Sequence, residues 1–316
     1  MENREEPGDR SDRGDRRGAV RGLARDRHGL PAEGQGAVPR SLRLKVAGSA
    51  AALVAGLLIG GCAYLSEKQA ELIFRPSKDA WRGYSAERYP FEEHWVPIGE
   101  GQKLHAWYLK GDRADAPVVL YLHGARWNLT GSVTRIDRWR QLGFAVFAVD
   151  YRGFGKSADV APTEAYAYED AQAAYDYMAN AYPNRKHFIV GHSLGGAIAT
   201  ELAMRRPDAS GLVLEATFTS VRDMISESSW GFLPVGLILT QEFNTLAKLP
   251  EVKVPVLITH GTRDSIVPYS MGERLFEAVK SPKRFIKVEG AGHHNLSGAA
   301  FEEYRQALQE LFKLKG

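Results

Sequence analysis

The chain has 316 residues, of which 44% are hydrophobic, with 41 Lys and Arg against 38 Asp and Glu and a single cysteine. This composition is typical of a globular protein and excludes a collagen, a disulfide scaffold and a wholly disordered chain. A net charge of +3 gives no basic surface for nucleic acid, and one cysteine cannot form an internal disulfide or a multi-cysteine metal site.

The first segment of the chain, residues 1–39, is polar and contains few large apolar side chains. Its eight basic residues are balanced by eight acidic ones, so it is a poor nucleic-acid arm. Such a segment buries too little surface to offset the entropy of ordering. We interpret it as a disordered tail, unless translation begins later than Met1.

Residues 40–61 have the parts of an export signal. Three basic residues precede the uncharged run 46–66, in which the apolar stretch ends in small residues before Cys62. Within it, Ile59-Gly60-Gly61-Cys62 resembles the bacterial lipobox, which implies a lipoprotein attached through Cys62. The 21 uncharged residues are also enough for a signal anchor, because a membrane span needs about 20. Both interpretations predict an exported, membrane-attached protein, facing the periplasm or at the outer membrane, or anchored in the inner membrane.

From residue 62 onward, short apolar runs alternate with amphipathic segments such as 165–181 and 195–205. The runs predicted as strands are 94–98, 104–109, 118–122, 145–149, 187–190, 212–214, 256–259 and 285–288. The first two flank a glycine-rich turn and predict antiparallel edge strands. The others are apolar throughout, as expected for parallel strands buried on both faces. The pattern predicts one α/β domain over 62–316, a doubly wound, mostly parallel sheet of about eight strands.

The fifth predicted strand is followed directly by Gly191-His192-Ser193-Leu194-Gly195, a G-x-S-x-G motif, and then by a helical pattern. A turn from strand to helix this tight needs glycine at both ends of the motif. It holds the serine in a strained conformation at a helix N-terminus, where the helix dipole favours developing negative charge. Ser193 is therefore the candidate nucleophile.

A nucleophilic serine needs a base and an acid that orients it. Asp264 follows the seventh predicted strand and His293 follows the eighth, which gives the chain order Ser, Asp, His of this motif's usual fold. Asp223 and Glu215 remain alternative acids. His294, beside the candidate base, is an alternative base, a loop neighbour or a substrate contact.

Taken together, these motifs make residues 70–312 resemble the α/β-hydrolase superfamily. The nearest branch is one of small-cap, membrane-tethered or exported serine hydrolases, related to depalmitoylating and serine-aminopeptidase-like members. The motifs that carry the resemblance are His123-Gly124, Asp150-Tyr151-Arg152-Gly153, the Ser193 motif, Phe218-Thr219-Ser220, Val254-Pro255-Val256-Leu257-Ile258, Asp264-Ser265-Ile266-Val267-Pro268 and Gly292-His293.

The resemblance implies an oxyanion hole formed by the amides of Ala125 and Leu194, and a small helical cap at about 218–250. It implies no metal and no organic cofactor. Ala125-Arg126-Trp127-Asn128 departs from the small residues and Asn that relatives carry at this place, so a charge and a large ring are expected beside the site.

The predicted function is that of a serine hydrolase that cleaves carboxylic esters or thioesters through an acyl-enzyme. Its expected partners are a small-molecule, lipid or acylated substrate and the membrane, with no nucleic acid. An aminopeptidase-like serine peptidase is an alternative, but it needs an acidic pocket for the substrate amine, which the sequence does not locate. A non-catalytic, membrane-tethered scaffold with the same fold is the other alternative.

Overall fold

Eight strands form one sheet in the computed structural model, which describes residues 60–61, 64–227 and 238–314. They are β1 (Glu92–Pro97), β2 (Lys103–Leu109), β3 (Val118–Leu122), β4 (Ala145–Val149), β5 (His187–His192), β6 (Gly211–Glu215), β7 (Val256–Gly261) and β8 (Lys283–Val288). Their order across the sheet is β1-β2-β4-β3-β5-β6-β7-β8. Strand β2 pairs antiparallel with β1 and β4, and every later pairing is parallel. The predicted fold class is confirmed.

Helices connect the strands and cover the sheet. They are α1 (64–74), α2 (Leu129–Gln141), α3 (Glu164–Ala181), α4 (Leu194–Arg205), α5 (Val221–Ser226), α6 (Thr245–Lys248), α7 (Tyr269–Ala278), α8 (Leu296–Ala299) and α9 (Phe301–Phe312), with 3₁₀ turns at Ala86–Arg88 and Leu249–Glu251. Side-chain caps define several of their starts: Asn128 accepts the Thr130 amide at α2, and Thr163 accepts the Tyr166 amide at α3.

The central strands are apolar throughout because both faces of the sheet are covered. In β3 the even-numbered and odd-numbered residues pack into different hydrophobic cores, because successive residues of a strand point to opposite faces of the sheet. Leu120 packs into the core that includes side chains of α1, α3, α4 and α7. Tyr121 packs into the core formed with α2, α8 and α9. The domain is therefore three layers, helix on sheet on helix.

The strand order places a crevice at the centre of the sheet. Strand β3 lies between β4 and β5, so the chain leaves β3 toward one edge and later returns on its other side. Ligands of open α/β sheets bind at such a reversal, outside the carboxyl ends of the strands. The segments that leave β3 and β5 at this point begin with His123 and Ser193.

Several predicted segments lie outside the described residues. These are the tail 1–39, the signal 40–61 except Gly60 and Gly61, the lipidation candidate Cys62, and residues 228–237 of the cap. The described flanks of the cap are α5 and α6. Among the helices that the structure describes, none has the length and apolar character needed to cross a bilayer.

Candidate active site

Ser193 stands between the end of β5 and the first residue of α4, in a left-handed conformation with φ 55°. The turn leaves no room for side chains at its ends. A Cβ atom at Gly191 would lie 2.2 Å from the Gly195 carbonyl oxygen, and one at Gly195 would lie 2.1 Å from the Leu122 carbonyl oxygen. Glycine is therefore required at both positions by backbone contact, as the motif predicts.

The end of β6 and the segment that follows it hold this strained residue in place. The Ser193 amide donates to the Glu215 carbonyl at 2.9 Å, and the Thr217 hydroxyl donates to the Ser193 carbonyl at 2.6 Å. A residue in a strained conformation persists only where its surroundings determine it, and such residues cluster at active sites.

The predicted acid and base are in direct contact. His293 Nδ1 donates to Asp264 Oδ2 at 2.7 Å, and both side chains are buried. The other carboxylate oxygen of Asp264 accepts the amides of Ile266 and Val267, each at 2.9 Å. Burial alone would raise the pKa of Asp264, but hydrogen bonds from His260 and His293 hold it well below its usual range. The carboxylate is therefore ionised and fixes the tautomer of His293, leaving Nε2 of the neutral ring able to accept a proton.

The alternative acids are engaged elsewhere. Asp223 accepts the Thr219 hydroxyl at 2.5 Å and pairs with Arg274 at 3.0 Å. Glu215 is 1% exposed, accepts the Tyr304 hydroxyl at 3.0 Å, and has its pKa raised by burial to about 7. Of the three acids, Asp264 is the one that contacts the candidate base.

Three histidines meet beside the serine. His192 Nε2 donates to the His293 carbonyl at 2.9 Å, and the two rings are 4.9 Å apart between centroids. In the described part of the chain no hydrogen bond joins the Ser193 hydroxyl to His293. Such a contact is often long without substrate and tightens in the reacting complex. The alternative base His294 is exposed, and its Nδ1 lies 3.0 Å from Arg135 rather than from a carboxylate.

The loop after β3 brings the second predicted oxyanion donor, Ala125, to the same corner. A Cβ atom at Gly124 would lie 3.1 Å from the Ser193 Cβ, so the loop backbone is close to the serine. Arg126 and Trp127 both have positive φ, at 66° and 57°. The Arg126 amide donates to the Phe74 carbonyl of α1 at 2.7 Å, which fixes this strained loop.

The other predicted donor, Leu194, is the first residue of α4. The first amides of a helix have no partner within the helix, so they are available to an oxyanion. The strained turn and the loop after β3 thus bring both predicted amide positions to the serine.

Sequence reasoning identified Asp150 only as part of a family motif and missed Arg135, and both residues support the site from a distance. Asp150, buried at the end of β4, accepts the Leu129 amide at 2.8 Å and so fixes the start of α2. Arg135, on α2, contacts His294 across 159 positions of sequence. Neither contact has a local sequence signal, because each joins segments that meet only in the folded sheet.

A cavity of about 480 Å³ opens beside these groups. Its wall includes Gly124 and Ala125 of the loop, together with His192 and His294. Trp127, 46% exposed, also lines it, so this ring is not buried under the loop. The cavity reaches the serine through Gly124 and His192, which adjoin Ser193, and it is large enough to hold part of a substrate.

A metal fits this histidine cluster poorly. One ring nitrogen each from His192, His293 and His294 lie within 4.8 Å of one another, which is a possible ligand set. However, His293 is hydrogen-bonded to Asp264, and the Arg135 guanidinium contacts His294. A fixed positive charge at that distance opposes a bound cation. The arrangement is better suited to proton transfer.

Comparison with known proteins gives the family. A family model described as serine aminopeptidase, S33, matches residues 113–246. An uncharacterized protein of Mycobacterium tuberculosis is 30% identical over 248 residues, covering 77% of this chain and 87% of that protein. The lysophosphatidylserine lipase ABHD12 of Danio rerio is 30% identical over 215 residues, covering 60% of this chain and 55% of the lipase.

Solved structures share the architecture. An esterase of Pyrococcus furiosus has a TM-score of 0.61 at 18% identity, over 76% of this chain and 97% of the esterase. The ferulic-acid-bound Est1E of Butyrivibrio proteoclasticus has a TM-score of 0.56 at 20% identity, over 69% of this chain and 96% of Est1E. With the strained serine turn and the parallel sheet described above, these findings show that the chain belongs to the α/β-hydrolase superfamily.

Proposed function

We propose that this protein is a serine hydrolase that cleaves carboxylic ester or thioester bonds through an acyl-enzyme. The observation that carries the proposal is the 2.7 Å hydrogen bond between His293 and Asp264, at the same sheet edge as the strained Ser193. A hydrogen bond of this kind orients a catalytic histidine, and the surroundings of Asp264 keep its carboxylate ionised.

In the first half of the reaction, Ser193 Oγ attacks the carbonyl carbon while its proton passes to His293 Nε2. The amides of Ala125 and Leu194 donate to the oxyanion of the tetrahedral intermediate, and Asp264 stabilises the imidazolium. The carbon–oxygen or carbon–sulfur bond to the leaving group then breaks. The leaving alcohol or thiol takes the proton from His293, and the acyl group remains on Ser193.

In the second half, water takes the place of the leaving group. His293 accepts a proton from water as the hydroxide attacks the acyl carbon, and it returns the proton to Ser193 as the carboxylic acid departs. No step uses a metal or an organic cofactor. Each half needs the same three side chains and the same two amides.

A small-molecule or lipid acyl ester is the proposed class of substrate. Support comes from the relatives, which include a protein named as a lysophosphatidylserine lipase and a structural neighbour named as an esterase. The cavity of about 480 Å³ beside the serine gives part of such a molecule a place.

The aminopeptidase alternative meets an obstacle at the same cavity. A substrate amine is positively charged and needs a carboxylate to bind it, but no acidic residue lines this cavity in the described part of the chain. Glu215, the acid left open by the sequence, is buried against Tyr304 and does not line the cavity. This observation favours an ester substrate over a peptide with a free amino terminus.

We further propose that the hydrolase domain is exported and attached to the membrane through residues 40–62. A lipid on Cys62 or an anchor helix over 46–66 would do so. The support is the sequence pattern: a basic flank, an uncharged run and a cysteine after small residues.

Labelling with a fluorophosphonate tests the catalytic proposal. The wild-type protein should be labelled at Ser193, and Ser193→Ala should abolish the label and lower ester turnover by about 10⁴-fold or more. Ser226→Ala, at an exposed serine of α5, is the matched control and should be labelled like the wild type. Absence of labelling in the wild type would refute the proposal.

A further inference from the structure

The cavity beside the serine has a strongly positive wall. Arg126 from the loop after β3, and Arg135 and Arg138 from α2, all line it. The arginines on α2 are three residues apart, so they lie on the same side of the helix. In the described part of the chain, no lining residue is acidic.

The positive charge of these arginines is not neutralised by ion pairs. Within 64–227 and 238–314, no carboxylate lies within 4.0 Å of Arg126, Arg135 or Arg138. Arg140, farther along α2, is different, because it contacts both Asp112 and Asp137. Three like charges around one cavity repel each other, and an anion between them would relieve that repulsion.

The charges nearest to this wall do not cancel it. Glu215 interacts electrostatically with Arg135 from behind the wall, but burial raises the pKa of Glu215 to about 7, so it is only partly ionised at neutral pH. Partial desolvation, together with the neighbouring His293 and Arg135, lowers the pKa of His294 below its ordinary value of 6.5, so the neutral form of the ring predominates at pH 7. The positive potential of the cavity thus comes from the guanidinium groups.

The wall lies on the side of the site where a leaving group must be. The leaving oxygen takes its proton from His293, so the alcohol part of an ester lies toward that ring. The His294 ring is 5.0 Å from the His293 ring between centroids, and Arg135 contacts His294 at 3.0 Å. An anionic group on the alcohol part of the substrate would therefore come within reach of Arg135, and it would enter the cavity that Arg126 and Arg138 also line.

We propose that Arg126, Arg135 and Arg138 form a binding site for an anionic group, a phosphate or a carboxylate, on the alcohol part of the acyl ester. Guanidinium groups bind both anions through paired, charge-assisted hydrogen bonds. The inference rests on the proposed ester hydrolysis and adds its specificity: the protein selects acidic esters over neutral esters of the same acyl chain.

The test compares two esters that differ in this group alone, 1-octanoylglycerol 3-phosphate and neutral 1-octanoylglycerol. The wild-type protein should have a kcat/KM at least about ten-fold higher for the phosphate ester, and the ratio should fall as salt is raised. The doubly substituted R135Q/R138Q protein should lose most of that ratio. Arg140→Gln, the matched control on the same helix, should keep it. Equal kcat/KM for the two esters in the wild type would overturn the proposal.

A second measurement does not depend on the variants. Glycerol 3-phosphate should competitively inhibit hydrolysis of the neutral ester by the wild-type protein, while glycerol at the same concentration should not. A site for an anion on the acyl part is tested with p-nitrophenyl hydrogen glutarate, whose acyl chain carries a carboxylate, against neutral p-nitrophenyl pentanoate. A higher kcat/KM for the glutarate ester, with no preference for the phosphate ester, would overturn the alcohol-side assignment. If only the specificity proposal is wrong, Ser193 would still be labelled by the fluorophosphonate and the neutral ester would still be cleaved. If the proposed function is wrong, neither would happen.

Discussion

Replacing Glu215 with glutamine should stabilise the protein at alkaline pH and change little at acid pH. Glu215 closes β6 and is 1% exposed, and its carboxyl accepts the Tyr304 hydroxyl at 3.0 Å. Burial raises its pKa to about 7, from an ordinary value of 4.5. Glutamine keeps the oxygen that accepts from Tyr304 and removes the need to bury a negative charge.

The size of the effect follows from the two pKa values. Between about pH 4.5 and 7 the folded state keeps the Glu215 proton and the unfolded state loses it, so the folded state binds more protons. The contribution of Glu215 to the free energy of unfolding therefore falls as pH rises through this range. At about 1.4 kcal/mol per pH unit, the loss reaches about 3 kcal/mol by pH 8.

Urea unfolding of the full-length protein, followed by tryptophan fluorescence at several pH values from 4.5 to 8, measures this difference. The free energy of unfolding of Glu215→Gln minus that of the wild type should grow with pH up to about 7 and then level off. Glu303→Gln, at an exposed position of α9, is the control and should show a small difference that does not vary in this way. A pH-independent difference for Glu215→Gln would refute the reasoning.

Four further predictions concern the site and its attachment. Asp264→Asn should lower kcat by about 10⁴-fold, because the carboxylate no longer orients His293, whereas Asp223→Asn should stay within a few-fold of the wild type in the same ester assay. His293→Ala should lower kcat as much as Asp264→Asn does, and His294→Ala should lower it far less; the reverse result would assign the base to His294. Gly195→Ala should lower the free energy of unfolding by about 2 kcal/mol or more in urea titrations and abolish fluorophosphonate labelling, because its Cβ would lie 2.1 Å from the Leu122 carbonyl oxygen. Cys62→Ser should abolish incorporation of radiolabelled palmitate; retention of the protein in membranes without that label would instead indicate an anchor helix.

The elements of the sheet could be predicted because burial leaves a local signal. Strand β3 is five apolar residues in a row, and all five are buried between two helical layers. The serine turn could be predicted because backbone crowding requires glycine at fixed spacing around Ser193. In both cases the cause acts on neighbouring residues, so the sequence records it.

The positive wall of the cavity could not be predicted in the same way. Arg135 and Arg138 lie in a helix with two other charged residues, where a solvated face is the ordinary interpretation. Arg140, in the same helix, pairs with acids, and nothing local distinguishes it. The difference appears only when α2 is packed beside the loop that carries His294.

The helix α1 ties the start of the hydrolase domain to its reacting groups. The Phe74 carbonyl accepts the amide that follows Ala125, and Phe74 is itself fully buried. An α-helix rises about 1.5 Å per residue, and an extended residue spans at most about 3.6 Å. A lipid attached at Cys62 would therefore hold the oxyanion loop within roughly 25 Å of the bilayer surface. An ester could then enter the cavity while its acyl chain is still partly in the membrane, so the two-dimensional density of lipid, rather than its concentration in water, would set the rate of encounter.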